Sequence, residues 1–272
     1  SGCIKSGEML GIIGLPKTGK TTLLNILCGK DIDFEGDVRV NGATLDKVVG
    51  ELVCFIPQFD VFENDLYPEE HLLYSAMFRG NTRMNEGFES VMENMIDKAL
   101  DRFLLSHSKQ IASRISQSLL ICVELLGYCE ISLMYMLYHI FIAKGKKILM
   151  MTLSERRRLS VVTEFIIGKH FYLLDAFSTA LDAGDEALFS ILKGLCEESV
   201  VAASKDNQLI YANISVVAII NQPSTFTMNQ FANVMFVNEG HVLYFGSPYD
   251  IIDHLYYVDY LLPRYTSSWG TD

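Results

Sequence analysis

The sequence predicts an α/β core interrupted by a helical insert, and three observations carry that prediction. An apolar run from Glu8 to Gly14 (EMLGIIG) passes through a glycine-bounded loop into helically spaced apolar residues from Thr21 to Leu27. From about Glu69 to Leu126 the texture changes, and in EEHLLYSAMFR and from Phe88 to Leu104 the apolar residues fall at i, i+3 and i+4, the spacing of one helix face. Strand-like runs then return at Phe171–Leu174, Ser215–Ile220 and Val234–Val237. Strands, helices and strands again in 272 residues describe a sheet-based core with a helical segment set into it.

Taken in order, Glu8 to Gly14 is short and almost wholly apolar, as a strand buried on both faces should be. Gly36-Asp37 and Asn41-Gly42 bracket DVRV, a hairpin-like signal for a small antiparallel element. Leu52 to Ile56 is the next strand, ended by Pro57. EEHLLYSAMFR and the stretch from Phe88 to Leu104 are helices, and helical texture continues to about Leu149. Gly240 and Gly246 mark turns near the end, and the polar PRYTSSWGTD closes the domain. The expected division is one domain over residues 1–272. Its core covers about 1–64 and 165–256, its helical subdomain about 65–164, and a tail 257–272.

Composition narrows the classes. Half the residues are hydrophobic and 20% charged, which suits a packed core and excludes a disordered chain. A net charge of −11 makes nucleic acid an unsuitable bulk partner. The six cysteines (Cys3, Cys28, Cys54, Cys122, Cys129, Cys196) form no CxxC pair, so they read as reduced thiols in a cytosolic setting rather than zinc ligands. The opening SGCIKSGEML has neither the basic start nor the apolar stretch of a secretory leader. The most apolar window, Leu119 to Ile142, is long enough to span a bilayer, but Glu124, Glu130 and His139 interrupt it. One charge near the centre of a spanning helix costs about 2.5–3.5 kcal/mol, so buried helices are the expectation there.

The first strand is followed by Gly14-Leu15-Pro16-Lys17-Thr18-Gly19-Lys20-Thr21-Thr22, a match to GxxxxGK[ST] in a strand–loop–helix context. Such a loop turns backbone N–H groups and a helix N-terminus toward a polyphosphate; Lys20 adds a positive charge and Thr21 a hydroxyl for Mg²⁺. Lys17 sits at a loop position often held by glycine, so some backbone strain is expected there. A carboxylate on a neighbouring strand is needed to fix the magnesium. Asp175, closing FYLLD, fits that role; a buried carboxylate ending a strand is costly unless it holds something.

Further pieces follow in a fixed order: Phe55-Ile56-Pro57-Gln58, Ala180-Leu181-Asp182, Asn221-Gln222-Pro223-Ser224 and Gly240-His241-Val242-Leu243-Tyr244-Phe245-Gly246. Together with the phosphate loop and Asp175, they resemble the nucleotide-binding domain of ATP-binding-cassette (ABC) transporters, most nearly the G subfamily of the White and pleiotropic-drug-resistance type. The resemblance runs from the phosphate loop to about residue 255 and is poorest near 78–118. It implies a P-loop NTPase (RecA-like) core with a small antiparallel β subdomain and an inserted helical subdomain, of the ABC ATPase type. It also implies ATP and Mg²⁺ as ligands, with Thr21, Gln58 and Asp175 on the metal side. Asp182 is implied to meet a partner domain. In this family two such domains clamp two ATP molecules head to tail, each site pairing one phosphate loop with the other chain's signature peptide.

Three departures touch chemistry. The glutamate that polarises water in the family is here Ala176, whose methyl accepts no proton. The family's histidine before QPS is here Asn221, which can donate a hydrogen bond but cannot carry an imidazolium charge. The signature S-G-G-E-R is here Thr152-Leu153-Ser154-Glu155-Arg156. Either Leu153-Ser154 replace the two glycines, or the glycines are deleted between Ser154 and Glu155; in both alignments they are gone. Ser154, Glu155, Arg156 and Asp182 are the expected signature and dimer residues. Outside the resemblance, Arg156-Arg157-Arg158 would read as a solvated helix face.

The expected function is therefore an ATP-binding domain that couples nucleotide binding to export, with no catalytic group intact and weak or absent hydrolysis. Its expected partners are a second nucleotide-binding domain, in a heterodimer or tandem pair, and a transmembrane domain outside this chain. That places it on the cytoplasmic face of a membrane, in a multi-pass protein. The alternatives are a pseudo-ATPase partner that binds nucleotide or nothing, and a free-standing P-loop kinase or GTPase. The latter would want an NKxD motif or an arginine-rich lid, and the sequence has neither. No adenine-stacking residue is assigned, because the family places it on a strand well before the phosphate loop.

Overall fold

The computed structural model describes residues 2–31, 33–59, 61–79, 88–106, 147–175, 186–203 and 214–259. The chain divides into two compact units, one of Ser1–Phe59 with Gly168–Asp272 and one of Asp60–Ile167. The apolar window Leu119–Ile142, Cys122, Cys129, Ala176, Asp182 and the tail from 260 lie outside the described residues.

The first unit is built on a six-stranded sheet. Its strands are β1 (Met9–Ile13), β4 (Val53–Ile56), β5 (Phe171–Leu174), β6 (Ser215–Ile220), β7 (Asn233–Asn238) and β8 (His241–Gly246), in the order β4-β5-β6-β1-β7-β8. The first five run parallel and β8 returns antiparallel at the edge. Parallel strands need cover on both faces, and the sequence supplies it. Helix α1 (Lys20–Leu27) sets Leu24, fully buried, into a cluster with Leu10, Ile12, Leu173, Val217, Ile219 and Val237. Further along, α6 (Glu186–Ala203) buries Leu188, Phe189, Leu192 and Leu195, and its Phe189 ring meets Phe231 at 5.6 Å.

The short antiparallel element forms as expected. β2 (Arg39–Val40) pairs with β3 (Ala43–Thr44) across Asn41 and Gly42, whose φ values of 51° and 82° suit a two-residue hairpin turn. Helix α2 (Leu45–Leu52) follows directly, so Leu52 belongs to a helix end rather than to β4. Among the described residues no helix is long and apolar enough to cross a membrane.

The second unit is helical: α3 (Pro68–Arg79), α4 (Phe88–Arg102) and α5 (Leu153–Ile167), with a 3₁₀ turn at Ile148–Met150. Pro68 occupies the first helical position of α3, where its missing N–H costs nothing, and Glu70 accepts the Tyr67 N–H at 3.0 Å. Leu72 and Ala76 on α3, Ile96 and Leu100 on α4, and Leu159 and Val162 on α5 are buried. Arg79 and Glu164 join α3 to α5 by a two-point ion pair, at 2.6 and 2.8 Å.

The start of α5 departs from the bland expectation for a run of arginines. Arg157 is 2% exposed and Arg156 donates to the carbonyls of Ile148 and Leu149, so this is no solvated face. The run alone could not show this. Guanidinium stems pack against apolar neighbours while their heads find carbonyls, and that depends on what surrounds the helix.

Candidate functional site

Four neighbouring strands of the first unit deliver expected site residues to one edge of the sheet. In the order β4, β5, β6 and β1, their C-terminal ends carry Gln58, Asp175, Asn221 and Gly14. The parallel register sets Ile56 beside Leu174, Leu174 beside Ala218, and Ile220 beside Ile13. The C-terminal edge of an open parallel sheet is where such folds bind ligands.

The loop after β1 is a cradle of backbone. Lys17 (φ 66°) and Gly19 (φ 96°) are left-handed, an arrangement that turns successive N–H groups to one side, and the strain expected at Lys17 is present as a positive φ. Gly14 has no room for a side chain, since a Cβ there would run into the Val237 carbonyl oxygen. Gly19 caps α1 without any side-chain hydrogen bond, and no acidic residue stands in the helix's first turn. No carboxylate of α1's own first turn therefore offsets its positive end. Leu15, Pro16, Lys17, Thr21 and Thr22 are exposed, whereas Thr18 and Lys20 are buried.

Two side chains tie the loop together. The Thr18 hydroxyl donates to the Leu15 carbonyl at 2.8 Å. The Lys20 ammonium donates to the Gly14 and Leu15 carbonyls at 2.7 and 2.6 Å. Burial pulls the Lys20 pKa below the usual lysine value, and the Asp175 carboxylate pulls the other way.

Asp175 is 5% exposed, its backbone N–H bonded to the Ile56 carbonyl at 3.0 Å. The Thr21 hydroxyl donates to its carboxylate at 3.1 Å, across 154 residues of sequence. A hydroxyl and a carboxylate side by side form a hard oxygen pair, the donor chemistry that suits Mg²⁺. Gln58 is exposed two residues beyond β4, and Asn221 is half-buried directly after β6.

In the second unit, Ser154, Glu155 and Arg156 occupy the first turn of α5. Thr152 caps that helix: its hydroxyl accepts the Glu155 N–H at 3.2 Å, and the Glu155 carboxylate accepts the Thr152 N–H at 2.6 Å. This reciprocal pair is the capping box T-x-x-E, with Leu153 and Ser154 as the two residues between cap and glutamate. Thr152 was not among the expected site residues, although its T-x-x-E spacing was there to be read.

Comparisons with known proteins agree with this geometry. The sequence profile of the ABC transporter family matches residues 1–134. The chain carries an ABC transporter domain. Among curated relatives, ABC transporter G family member 22 of Arabidopsis thaliana is 27% identical over 256 residues, covering 93% of this chain and 28% of that protein. Protein white of Drosophila melanogaster is 26% identical over 259 residues, covering 93% of this chain and 31% of that protein. The ABC-type transporter claG of Penicillium crustosum is 23% identical over 255 residues, covering 91% of this chain and 27% of that protein. This ABC domain thus spans about a third or less of those relatives' length. The ATP-binding cassette MJ0796, solved as a dimer with ADP and Pi, has a TM-score of 0.61 at 17% identity, covering 90% of this chain and 88% of that one, which establishes a shared fold.

Proposed function

We propose that this ABC domain binds Mg-ATP on the loop from Gly14 to Thr22 and serves a membrane transporter, while hydrolysing ATP poorly at its own site. The observation that carries the reading is the Thr21–Asp175 contact at 3.1 Å beside the open N-terminus of α1. The loop N–H groups and Lys20 would hold the phosphates; Thr21, Asp175 and Gln58 would hold the metal. Mg²⁺ held there would supply positive charge to offset that of the phosphates. The chain's own residues then bind and orient, but neither Ala176 nor Asn221 can act as a base or carry a proton. Loss of such groups typically costs about 10²–10⁴ in rate, so binding outlasts turnover.

In the two-site clamp of the family, this domain would also present the start of α5 to a partner's phosphates. The capping box favours the alignment in which Leu153 and Ser154 replace the two glycines, with Thr152 at the serine position. Leu153 is 69% exposed, and a branched side chain there obstructs close approach of backbone to a phosphate. Two such chains would make two poor sites, so the partner is a different nucleotide-binding domain, in a heterodimer or a tandem chain. Both would lie on the cytoplasmic face of a membrane, attached to transmembrane segments outside this chain.

A Mg-ATP titration with the Lys20→Ala variant as control tests the binding half: saturable binding lost in the variant supports it. Steady turnover comparable to an active ABC domain, abolished by Lys20→Ala, refutes the hydrolysis-poor half. One observation favours a scaffold that binds no nucleotide: Lys20 already satisfies two carbonyls of its own loop. Absence of Mg-ATP binding would select that reading.

A further inference from the structure

We infer that the β7–β8 hairpin turn sets the backbone of the phosphate loop, with Gly240 a positioning residue for phosphate binding. The inference rests on the nucleotide-binding reading of that loop. β7 lies directly beside β1 and parallel to it, so the tip of the hairpin emerges at the same sheet edge as the loop. Between Phe236 and Val237 the register slips: Phe236 pairs with Tyr244 and Val237 with Val242, leaving Leu243 unmatched. A bulge of this kind bends and twists a hairpin, and here it lies just before the tip. Glu239 (φ 48°) and Gly240 (φ 77°) then make the turn with two left-handed residues.

Three contacts join this turn to the loop. The Gly240 N–H donates to the Thr18 carbonyl at 3.1 Å. The Val237 carbonyl fills the space that a Cβ on Gly14 would need. A Cβ on Gly19 would come to 3.8 Å from the Gly240 Cα. The first and last glycines of the loop motif therefore both face this one hairpin.

The hydrogen bond has a directional consequence. The Thr18–Gly19 peptide is planar and trans, so its C=O and N–H point in opposite directions. Holding the Thr18 carbonyl on Gly240 turns the Gly19 N–H away from the hairpin. Thr18 is thus held at its carbonyl by Gly240 and at its hydroxyl by Leu15, and the peptide between them has little freedom. A residue more than two hundred positions downstream governs one of the donors of the cradle.

The test compares Gly240→Val with Gly240→Asn. A β-branched residue resists a positive φ and should withdraw the N–H from Thr18, whereas asparagine tolerates that region and keeps the bond. Gly240→Val should weaken Mg-ATP binding about tenfold, the loss of one hydrogen bond's worth of positioning. It should also speed amide hydrogen exchange across residues 14–20 in the nucleotide-free protein. Gly240→Asn should restore both readouts to within about twofold of the parent. If the valine variant does not fold, Gly240→Ala, with less strain, should show a smaller loss in the same two readouts. Parental exchange and binding in Gly240→Val (or, where that variant does not fold, in Gly240→Ala) would overturn the inference, as would equal loss in Gly240→Asn. If the parent protein itself binds no Mg-ATP, the nucleotide reading fails separately, and exchange across 14–20 still decides whether the hairpin holds the loop.

Discussion

The N-termini of α1 and α5 are the same kind of object put to opposite uses. Both follow a turn, and both leave a positive end where the first N–H groups have no helical acceptor. At α1 the cap is glycine, no side chain bonds the free donors, and the first turn carries no carboxylate. At α5 the cap is Thr152, its hydroxyl takes the Glu155 N–H, and the Glu155 carboxylate stands in the first turn. An open end leaves its donors available to a group from outside the helix; a boxed end has been completed by the chain itself. The difference teaches that whether a helix start stays open or is capped by its own chain can turn on two or three residues, while the helix itself stays.

The largest effect that sharpens this contrast lies in turnover. Installing Ala176→Glu together with Asn221→His should raise ATP hydrolysis by about 10² if the open end at α1 is intact, measured as phosphate release with a matched partner domain. An unchanged rate would mean that the loop, and not the missing groups, limits the site. Next in size, Asp175→Asn should weaken Mg-ATP binding about tenfold while leaving metal-free ATP binding nearly unchanged. Equal loss in both would place Asp175 in the packing rather than at the metal.

The boxed end can be opened in the same way. Thr152→Ala removes the cap hydroxyl and should cost about 1 kcal/mol of stability, read as a lowered midpoint in urea, with Mg-ATP affinity at the phosphate loop unchanged. A loss of affinity instead would break the assignment of the box to self-capping. The smallest expected effect is a pH dependence at His71, in the second unit. Burial, and then the Arg79 guanidinium, hold its pKa below 6.5, with Glu164 opposing them. The unfolded chain therefore takes up this proton more readily than the folded one. Stability from this group is complete above pH 6.5 and is lost as pH falls below it. His71→Gln should flatten the drop in melting temperature between pH 7.5 and 5.5; an identical slope in both proteins would remove His71 as its cause.

How far the sequence could be read varied with the range of the interaction. The phosphate loop, the hairpin at Asn41-Gly42 and the buried strands β1, β5 and β6 were plain, because each is written in a few adjacent residues. The run Arg156–Arg158 taken alone reads as a solvated face, and its burial was not legible, because whether an arginine meets water or a carbonyl depends on packing. α6 and β8 were not anticipated as elements. β8 is an edge strand whose first three residues, His241, Val242 and Leu243, are exposed, so no inward-facing alternation marks it there. Thr152 was overlooked although its capping spacing is local.

What the sequence determined by itself is the chemistry on offer: a glycine-bounded loop with Lys20 and Thr21, a strand-ending Asp175, and an asparagine at position 221 after its own strand. Short-range backbone preferences and residue type settle these without reference to the rest of the chain. Only the tertiary structure decided that β4, β5, β6 and β1 lie side by side, so that Gln58, Asp175, Asn221 and Gly14 share one edge. Thr21 and Asp175 meet across 154 residues, and Gly240 reaches Thr18 over a longer span still. Strand order and hairpin bulges come from burying whole faces of a sheet, and no local pattern records which distant partner will supply the cover.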